Sequence, residues 1–153
     1  MTVVINGTTG ITVAAAAAPA FSAQSATTQA ISNTTYTKVT LGTENFDTNS
    51  NFASSTFTPT VAGYYQINAG IFYNTSAVAG LGQILIYKNG SAVNNTVNNM
   101  SAAGYCGLSI STTVYCNGST DYIELYTYHA FGTTQSVSSG ASVFMNGSMV
   151  RSA

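Results

Sequence analysis

Apolar and polar residues alternate with a period of two along several segments of the chain. Between Tyr64 and Tyr73 every odd-numbered position is apolar or aromatic, and segments 105–116 and 121–131 alternate in a similar way. Successive side chains of a β-strand point to opposite faces, so the pattern predicts strands that are buried on one face. The one helix-favouring run, Ala14–Ala18, is too short to form a stable helix by itself.

Turn-forming residues separate the predicted strands. Asn89-Gly90 lies between the strand-like runs 84–88 and 91–93. An Asn-Gly pair favours a two-residue hairpin turn because both positions require a positive φ. Many short strands separated by such turns, with no convincing helix, predict an all-β sandwich or barrel.

The first 18 residues differ from the rest of the chain. Two short strand-like runs there, Val3–Ile5 and Thr8–Val13, are separated by Asn6-Gly7 and followed by the alanine run. We interpret residues 1–18 as an extended neck and residues 19–153 as one head domain. The 153 residues of the whole chain correspond to about one domain.

The composition excludes several classes of protein. Only 5% of the residues are charged, and Thr, Ser, Asn and Gly together supply 69 of the 153. Helical bundles need many charged helix formers on their surfaces, and three basic residues cannot neutralise a row of phosphates, so nucleic acid is not an expected partner. No apolar run has the length of about 20 residues that spans a membrane, so we expect no membrane insertion. The segment Met1–Ile5 lacks the basic residue of a secretory signal peptide, so a protein acting outside the cell would leave as part of a particle or a larger chain.

Six short motifs resemble, in the same order, the globular head of the complement C1q family. These are Pro19–Ala23, Phe46-Asp47, Phe57–Tyr65, Ile86–Gly90, Thr120–Leu125 and Met145–Val150. Thr120 stands where the family has glycine, and Met145 and Ser148 stand where it has aromatic residues. The resemblance implies a ten-stranded jelly-roll β-sandwich like that of tumour necrosis factor. It also implies a compact homotrimer that binds other molecules and has no catalytic centre.

The neck carries a second resemblance. Residues Ile5–Thr12 look like a short element that precedes the terminal domains of bacteriophage tail and fibre proteins, whose composition is similarly polar and poor in charge. The implied function is that of a virion tail or tail-fibre head, which acts outside the cell, contacts other tail proteins and binds a glycan or protein receptor on the host surface. Two alternatives are a structural cap that only holds a fibre trimer together and the head of a bacterial collagen-like surface protein.

Three tyrosines of the predicted strand 121–131 share one face. Tyr122, Tyr126 and Tyr128 lie on this face together with Glu124, whereas the opposite face can supply the core. A row of exposed aromatic side chains commonly marks an interface, so we predict that these tyrosines form the trimer contact. Glu124 would need a partner there, and the sequence does not identify one.

Polar segments between the predicted strands are the candidate contacts for a receptor. We expect loops at 43–55, 75–82, 94–103 and 132–140, because these segments are polar and nearly uncharged. The asparagines proposed for ligand contact are Asn45, Asn49, Asn51, Asn95, Asn98 and Asn99.

The residues that most often carry chemistry have simpler interpretations here. Cys106 and Cys116 share strand parity and would lie about 33 Å apart on a continuous strand, which excludes a disulfide between them and predicts buried free thiols. His129 is the only histidine, and we expect it at the rim of the domain, where it could face a loop ligand. Since no Gly-x-Ser-x-Gly motif occurs, we expect no enzyme and no cofactor.

The four carboxylates leave two alternatives open. Glu44 with Asp47, and Asp121 with Glu124, could form the two halves of a glycosidase pair. Glu44 and Asp47 lie in a loop-like segment, where some relatives in the resembled family bind calcium. We expect instead that all four cap turns or keep the surface soluble, and that the protein binds no metal.

Overall fold

A computed structural model of the chain describes residues 3–6, 10–13, 18–77, 79–101 and 104–153, with side chains from residue 18 onward except at 74–77. The described residues contain no helix, and so none that is long and apolar enough to cross a membrane. Their strands are β1 (Val3–Asn6), β2 (Gly10–Val13), β3 (Ala20–Ser25), β4 (Gln29–Ile31), β5 (Thr37–Lys38), β6 (Thr43–Asp47), β7 (Phe52–Ala53), β8 (Thr56–Phe57), β9 (Gly63–Ala77), β10 (Gly80–Lys88), β11 (Ser91–Met100), β12 (Gly104–Cys116), β13 (Ile123–Ala130), β14 (Gln135–Val137) and β15 (Gly140–Ser152).

Two antiparallel sheets form a sandwich, as the alternation predicts. The six-stranded sheet has the order β11-β10-β13-β8-β7, and β5 also pairs with β13. The seven-stranded sheet has the order β4-β14-β9-β15-β3-β6, and β12 also pairs with β9. Strands distant in sequence are therefore neighbours, as where β15 lies between β9 and β3.

The two sheets contain more strands than the ten that the resemblance implies. Within the described part of the chain they have thirteen, because five short strands of two or three residues join the eight longer ones. The short strands, β4, β5, β7, β8 and β14, lie in the connections between the longer strands. The first two strands, β1 and β2, pair with each other, with Asn6 opposite Gly10, and form a separate two-stranded sheet. Gly7 of the predicted Asn6-Gly7 turn lies outside the described residues.

The core comes from the alternate positions that the sequence predicts. The odd-numbered side chains of β9 from Tyr65 to Tyr73 are buried, and so are Cys106, Leu108, Ile110, Val114 and Cys116 of β12. Phe21 stacks on Phe57 at a centroid distance of 4.2 Å. A polar connection also crosses this apolar layer: the hydroxyl groups of Tyr73 and Thr127 are 2.6 Å apart, and Thr127 donates to the carbonyl of Gln83. Tyr73 therefore donates to Thr127 and links the two sheets.

The β10–β11 hairpin confirms the Asn-Gly prediction. Asn89 and Gly90 have φ values of 52° and 78°, in the left-handed region that this turn requires. Strand β11, however, continues to Met100 and includes residues 94–100, which the sequence predicts as a loop. Asparagine is rare in strands, but continuous backbone pairing with β10 outweighs this weak preference.

Candidate functional site

Five tyrosines gather on the outer face of the six-stranded sheet. We call this surface the tyrosine face; its tyrosines are Tyr36, Tyr87, Tyr122, Tyr126 and Tyr128. Strand β13 carries Tyr126 and Tyr128 of the stripe predicted from the sequence, and Tyr122 directly precedes it. All three tyrosines are half-buried, on the side away from the core that the alternation requires. The remaining two come from β10 and from the segment before β5, whose approach to β13 could not be predicted from spacing along the chain.

Four rings of this face pack in two pairs, one stacked and one tilted. Tyr87 and Tyr126 have ring centroids 4.0 Å apart at an interplanar angle of 22°, and Tyr36 and Tyr128 are 4.7 Å apart at 34°. Partial burial raises the pKa of Tyr126, and the negative charge of Glu124 raises it further. The Tyr126 hydroxyl therefore keeps its proton at neutral pH and can donate a hydrogen bond.

Glu124, for which the sequence offers no partner, pairs with Lys38. The Lys38 ammonium is 2.7 Å from the Glu124 carboxylate and also donates to the hydroxyl of Thr56 at 2.6 Å. This pair lies among the tyrosines because Lys38 is directly opposite Tyr126 in the β5–β13 register. The face therefore carries two opposite charges that neutralise each other.

Two of the asparagines proposed for ligand contact lie on this same face. Asn95 is the register partner of Leu85, and Leu85 is the partner of Tyr126, so all three side chains point to one side. Asn99 pairs with Leu81. Leu81 has the same strand parity as Gln83, the partner of Tyr128, so Asn99 also lies on the tyrosine side. Both asparagines are exposed. The fold therefore joins two predicted sets of residues into one surface.

The other four asparagines do not belong to this surface. Asn98 has the opposite strand parity, and its amide nitrogen lies 4.0 Å from the sulfur of Cys106. Asn45 is exposed in β6, and its amide donates to Ser22. Asn49 is half-buried in the turn after β6.

For Asn51 the prediction of a ligand contact is corrected. Its side chain is only 5% exposed; its amide donates to the carbonyl of Asn49 and its carbonyl oxygen accepts from the backbone of Thr60. The residue holds the chain between β6 and β8 and is not accessible to a receptor.

The sequence interpretation places His129 at the rim, and this is wrong: the residue lies in the core. It is fully buried, and its ring stacks on Phe131 with a centroid distance of 5.1 Å. The backbone N–H of Phe131 donates to Nδ1, so Nε2 carries the hydrogen and donates to the carbonyl of Ile31 at 3.0 Å. With both ring nitrogens in use, His129 serves to attach the end of β4 to β13.

The cysteines are free and buried, as predicted. They lie on the continuous strand β12, and burial raises the pKa of the Cys116 thiol to about 11 and raises that of Cys106 as well. Neither thiol has the lowered pKa of a nucleophilic cysteine.

The carboxylates cap turns and form ion pairs. Asp47 accepts from the backbone N–H groups of Asn49 and Phe52, and Asp121 pairs with Lys88 at 2.8 Å. No group of three or more His, Cys, Asp or Glu side chains converges as metal ligands among the residues whose placement is described.

A second aromatic surface covers the outer face of the seven-stranded sheet. Its rings form two pairs, Tyr64 with Tyr115 and Phe72 with Tyr105, each at a centroid distance of 5.5 Å. Between the pairs lies a ladder of uncharged side chains, in which Gln66 donates to Ser111. Tyr105 is 68% exposed and Tyr64 is 44% exposed. We call this surface the ladder face; sequence analysis could have found it from the even-numbered positions of β9.

Comparisons with known proteins agree with this architecture. No protein-family model and no curated protein matches the chain. The globular domain of zebrafish complement 1qA superimposes with a TM-score of 0.65 at 14% identity, over 89% of this chain and 99% of that one. Murine APRIL gives a TM-score of 0.65 at 8% identity, over 87% of this chain and 99% of that one. The Eiger TNF of S. frugiperda gives a TM-score of 0.60 at 8% identity, over 89% of this chain and 93% of that one. Together with the two antiparallel sheets, these similarities show that the chain has the jelly-roll fold of complement C1q and tumour necrosis factor heads.

Proposed function

We propose that this chain is the homotrimeric head domain of a bacteriophage tail or tail fibre, which attaches to the host cell by binding a surface receptor and catalyses no reaction. The observation that carries the proposal is the jelly-roll fold with two aromatic outer faces, one more than a trimer contact needs. The virion context rests on the resemblance of Ile5–Thr12 to tail-protein linkers and on the polar, charge-poor composition.

The ladder face supplies the trimer contact in this proposal. Its most exposed rings, Tyr105 and Tyr64, have the larger area to bury. The ladder between them has no charged side chain, and the nearby cations, Arg151 and Lys88, lie at its Tyr64–Tyr115 end. Interface cores are depleted in charge and enriched in aromatic residues. The stripe Tyr122, Tyr126 and Tyr128, predicted from the sequence, is the alternative contact, but it is less exposed and includes an ion pair.

Sedimentation equilibrium tests the assembly. We expect a mass near three times 15.8 kDa. Tyr115→Glu should dissociate the trimer, because three buried carboxylates would be costly and the nearby cation, Lys88, is already paired with Asp121. Tyr126→Glu should leave the mass unchanged. A wild-type monomer at micromolar concentration contradicts the trimer, and dissociation by Tyr126→Glu alone assigns the contact to the stripe.

Adsorption to cells tests the binding role. Fluorescently labelled chain, mixed with a panel of bacterial strains, should adsorb saturably to some of them, and unlabelled chain should compete. A trimer presents three copies of a weak site, and avidity can raise apparent binding about 10²–10⁴-fold. The dissociated Tyr115→Glu variant should therefore lose most of the adsorption. Adsorption to no strain would favour a purely structural cap.

A further inference from the structure

We propose that the tyrosine face is a binding site for neutral oligosaccharides. This inference rests on the proposed function and names the class of ligand. The face joins fixed aromatic rings, amide side chains and a neutralised ion pair on one sheet surface.

The rings provide planar apolar surfaces at fixed positions. Tyr126 is held by Tyr87, and Tyr128 is held by Tyr36, so little rotamer freedom is left to lose when a ligand binds. A pyranose ring has a face of C–H groups that packs on such an aromatic plane while its hydroxyl groups stay at the edge. A tyrosine serves this purpose well because one part of it is apolar and its tip is polar.

The neighbouring side chains can satisfy the sugar hydroxyl groups. Asn95 and Asn99 are exposed on β11, and an amide supplies both donors and an acceptor, as a hydroxyl group requires. Adjacent strands lie about 4.8 Å apart, so Tyr126 and Asn95, two strands apart, are separated by roughly 10 Å. This spacing accommodates a short oligosaccharide that lies across the strands.

The charges of the face favour an uncharged ligand. Lys38 and Glu124 are the two charged residues among the described side chains of this face, and they are paired at 2.7 Å. An anionic glycan would have to compete with Glu124 for the one ammonium group. A neutral glycan can instead use the pair as a hydrogen-bonding group without breaking it.

Treatment of adsorbing cells separates a glycan from a protein receptor. Periodate cleaves vicinal diols of sugars, so periodate-treated cells should lose adsorption of the labelled chain, whereas cells treated with proteinase K should retain it. Loss after proteinase K alone identifies a protein receptor and overturns the inference, while the proposed binding function stands. Absence of adsorption to untreated cells is the separate failure of the proposed function.

A glycan array with neutral galactose-, glucose- and N-acetylglucosamine-terminated oligosaccharides beside sialylated ones tests the class directly. We expect binding to a neutral glycan that persists from about 50 mM to about 500 mM NaCl, because no ion pair with the ligand is screened. Tyr126→Ala should weaken it about tenfold or more, and Tyr126→Phe should retain most of it. Thr134→Ala, which shortens an exposed side chain in the connection between β13 and β14, should have no effect. Binding confined to sialylated glycans, binding to none, or equal binding by Tyr126→Ala overturns the inference.

Discussion

Lys38 and Glu124 form an ion pair between residues that are 86 positions apart in the chain. The 2.7 Å contact connects β5 to β13, and the side chains are 31% and 12% exposed. Thr56 of β8 also bonds to the carboxylate, at 3.3 Å. Three strands therefore meet at one charged pair in the middle of the tyrosine face.

Removal of one partner should destabilise the protein more than removal of both. Lys38→Met leaves Glu124 partly buried without its cation, and we expect the free energy of unfolding to fall by about 1–2 kcal/mol. The double variant Lys38→Met/Glu124→Leu should recover part of this loss. Urea unfolding at fixed chain concentration measures the free energy of unfolding of the single and the double variant. As a control, the exposed Glu44→Gln should change stability by less than about 0.5 kcal/mol. A Lys38→Met protein as stable as wild type would contradict the prediction.

Gly118 should not tolerate a side chain. Its φ is +73°, and a Cβ built there would lie 2.3 Å from the backbone nitrogen of Ala62. Gly118→Ala therefore requires both a strained backbone and a displaced neighbouring chain, and we expect a loss of at least about 2 kcal/mol. Gly132→Ala is the matched control, because its φ is also positive but nothing lies within 4 Å of its Cβ position. Thermal unfolding of the two variants should separate the stability lost to the steric clash from the stability lost to the strained backbone. Equal losses of stability in the two variants would contradict the proposed clash.

Asp121 should make stability depend on acid pH. Hydrogen bonds from Lys88, then Asn89, with a further one from the backbone of Asn117, hold the pKa of this carboxyl below its ordinary value. A carboxyl whose pKa is lower in the folded state stabilises the protein above its unfolded pKa of about 3.9, and the contribution is lost as pH falls through the lower, folded value. Denaturant unfolding between about pH 5 and pH 2 should show this decline. The stability of the Asp121→Asn variant should fall less over this pH range. An identical fall in the variant and the wild type would exclude the Asp121 carboxyl as the source of the pH dependence.

The two thiols should react only after unfolding. Both are buried, and the pKa of Cys116 is raised to about 11, so little thiolate is present near neutral pH. Iodoacetamide should modify the native chain very slowly and modify two cysteines per chain once the protein is unfolded without reductant. If no thiol reacts after unfolding, a disulfide has formed and the description of β12 as a continuous strand is wrong.

Local chemistry in the sequence determined most of the strands. The buried face of β9, the buried face of β12 and the Asn89-Gly90 turn all follow from neighbours within a few residues of each other. The class of fold also follows, because a chain with 5% charged residues and a recurrent period of two has few alternatives. These features do not depend on which strands become neighbours in space.

Long-range pairing determined what the side chains do. His129 is buried because β13 brings it to the carbonyl of Ile31, 98 residues away, and Asn95 joins Tyr126 because β10 lies between their strands. Asn51 resembles a surface asparagine in sequence, and only its bonds to Thr60 explain its burial. The period of two assigns a side chain to one side of a strand, whereas the strand order assigns its neighbours, so the tyrosine face could be assembled only from the tertiary structure.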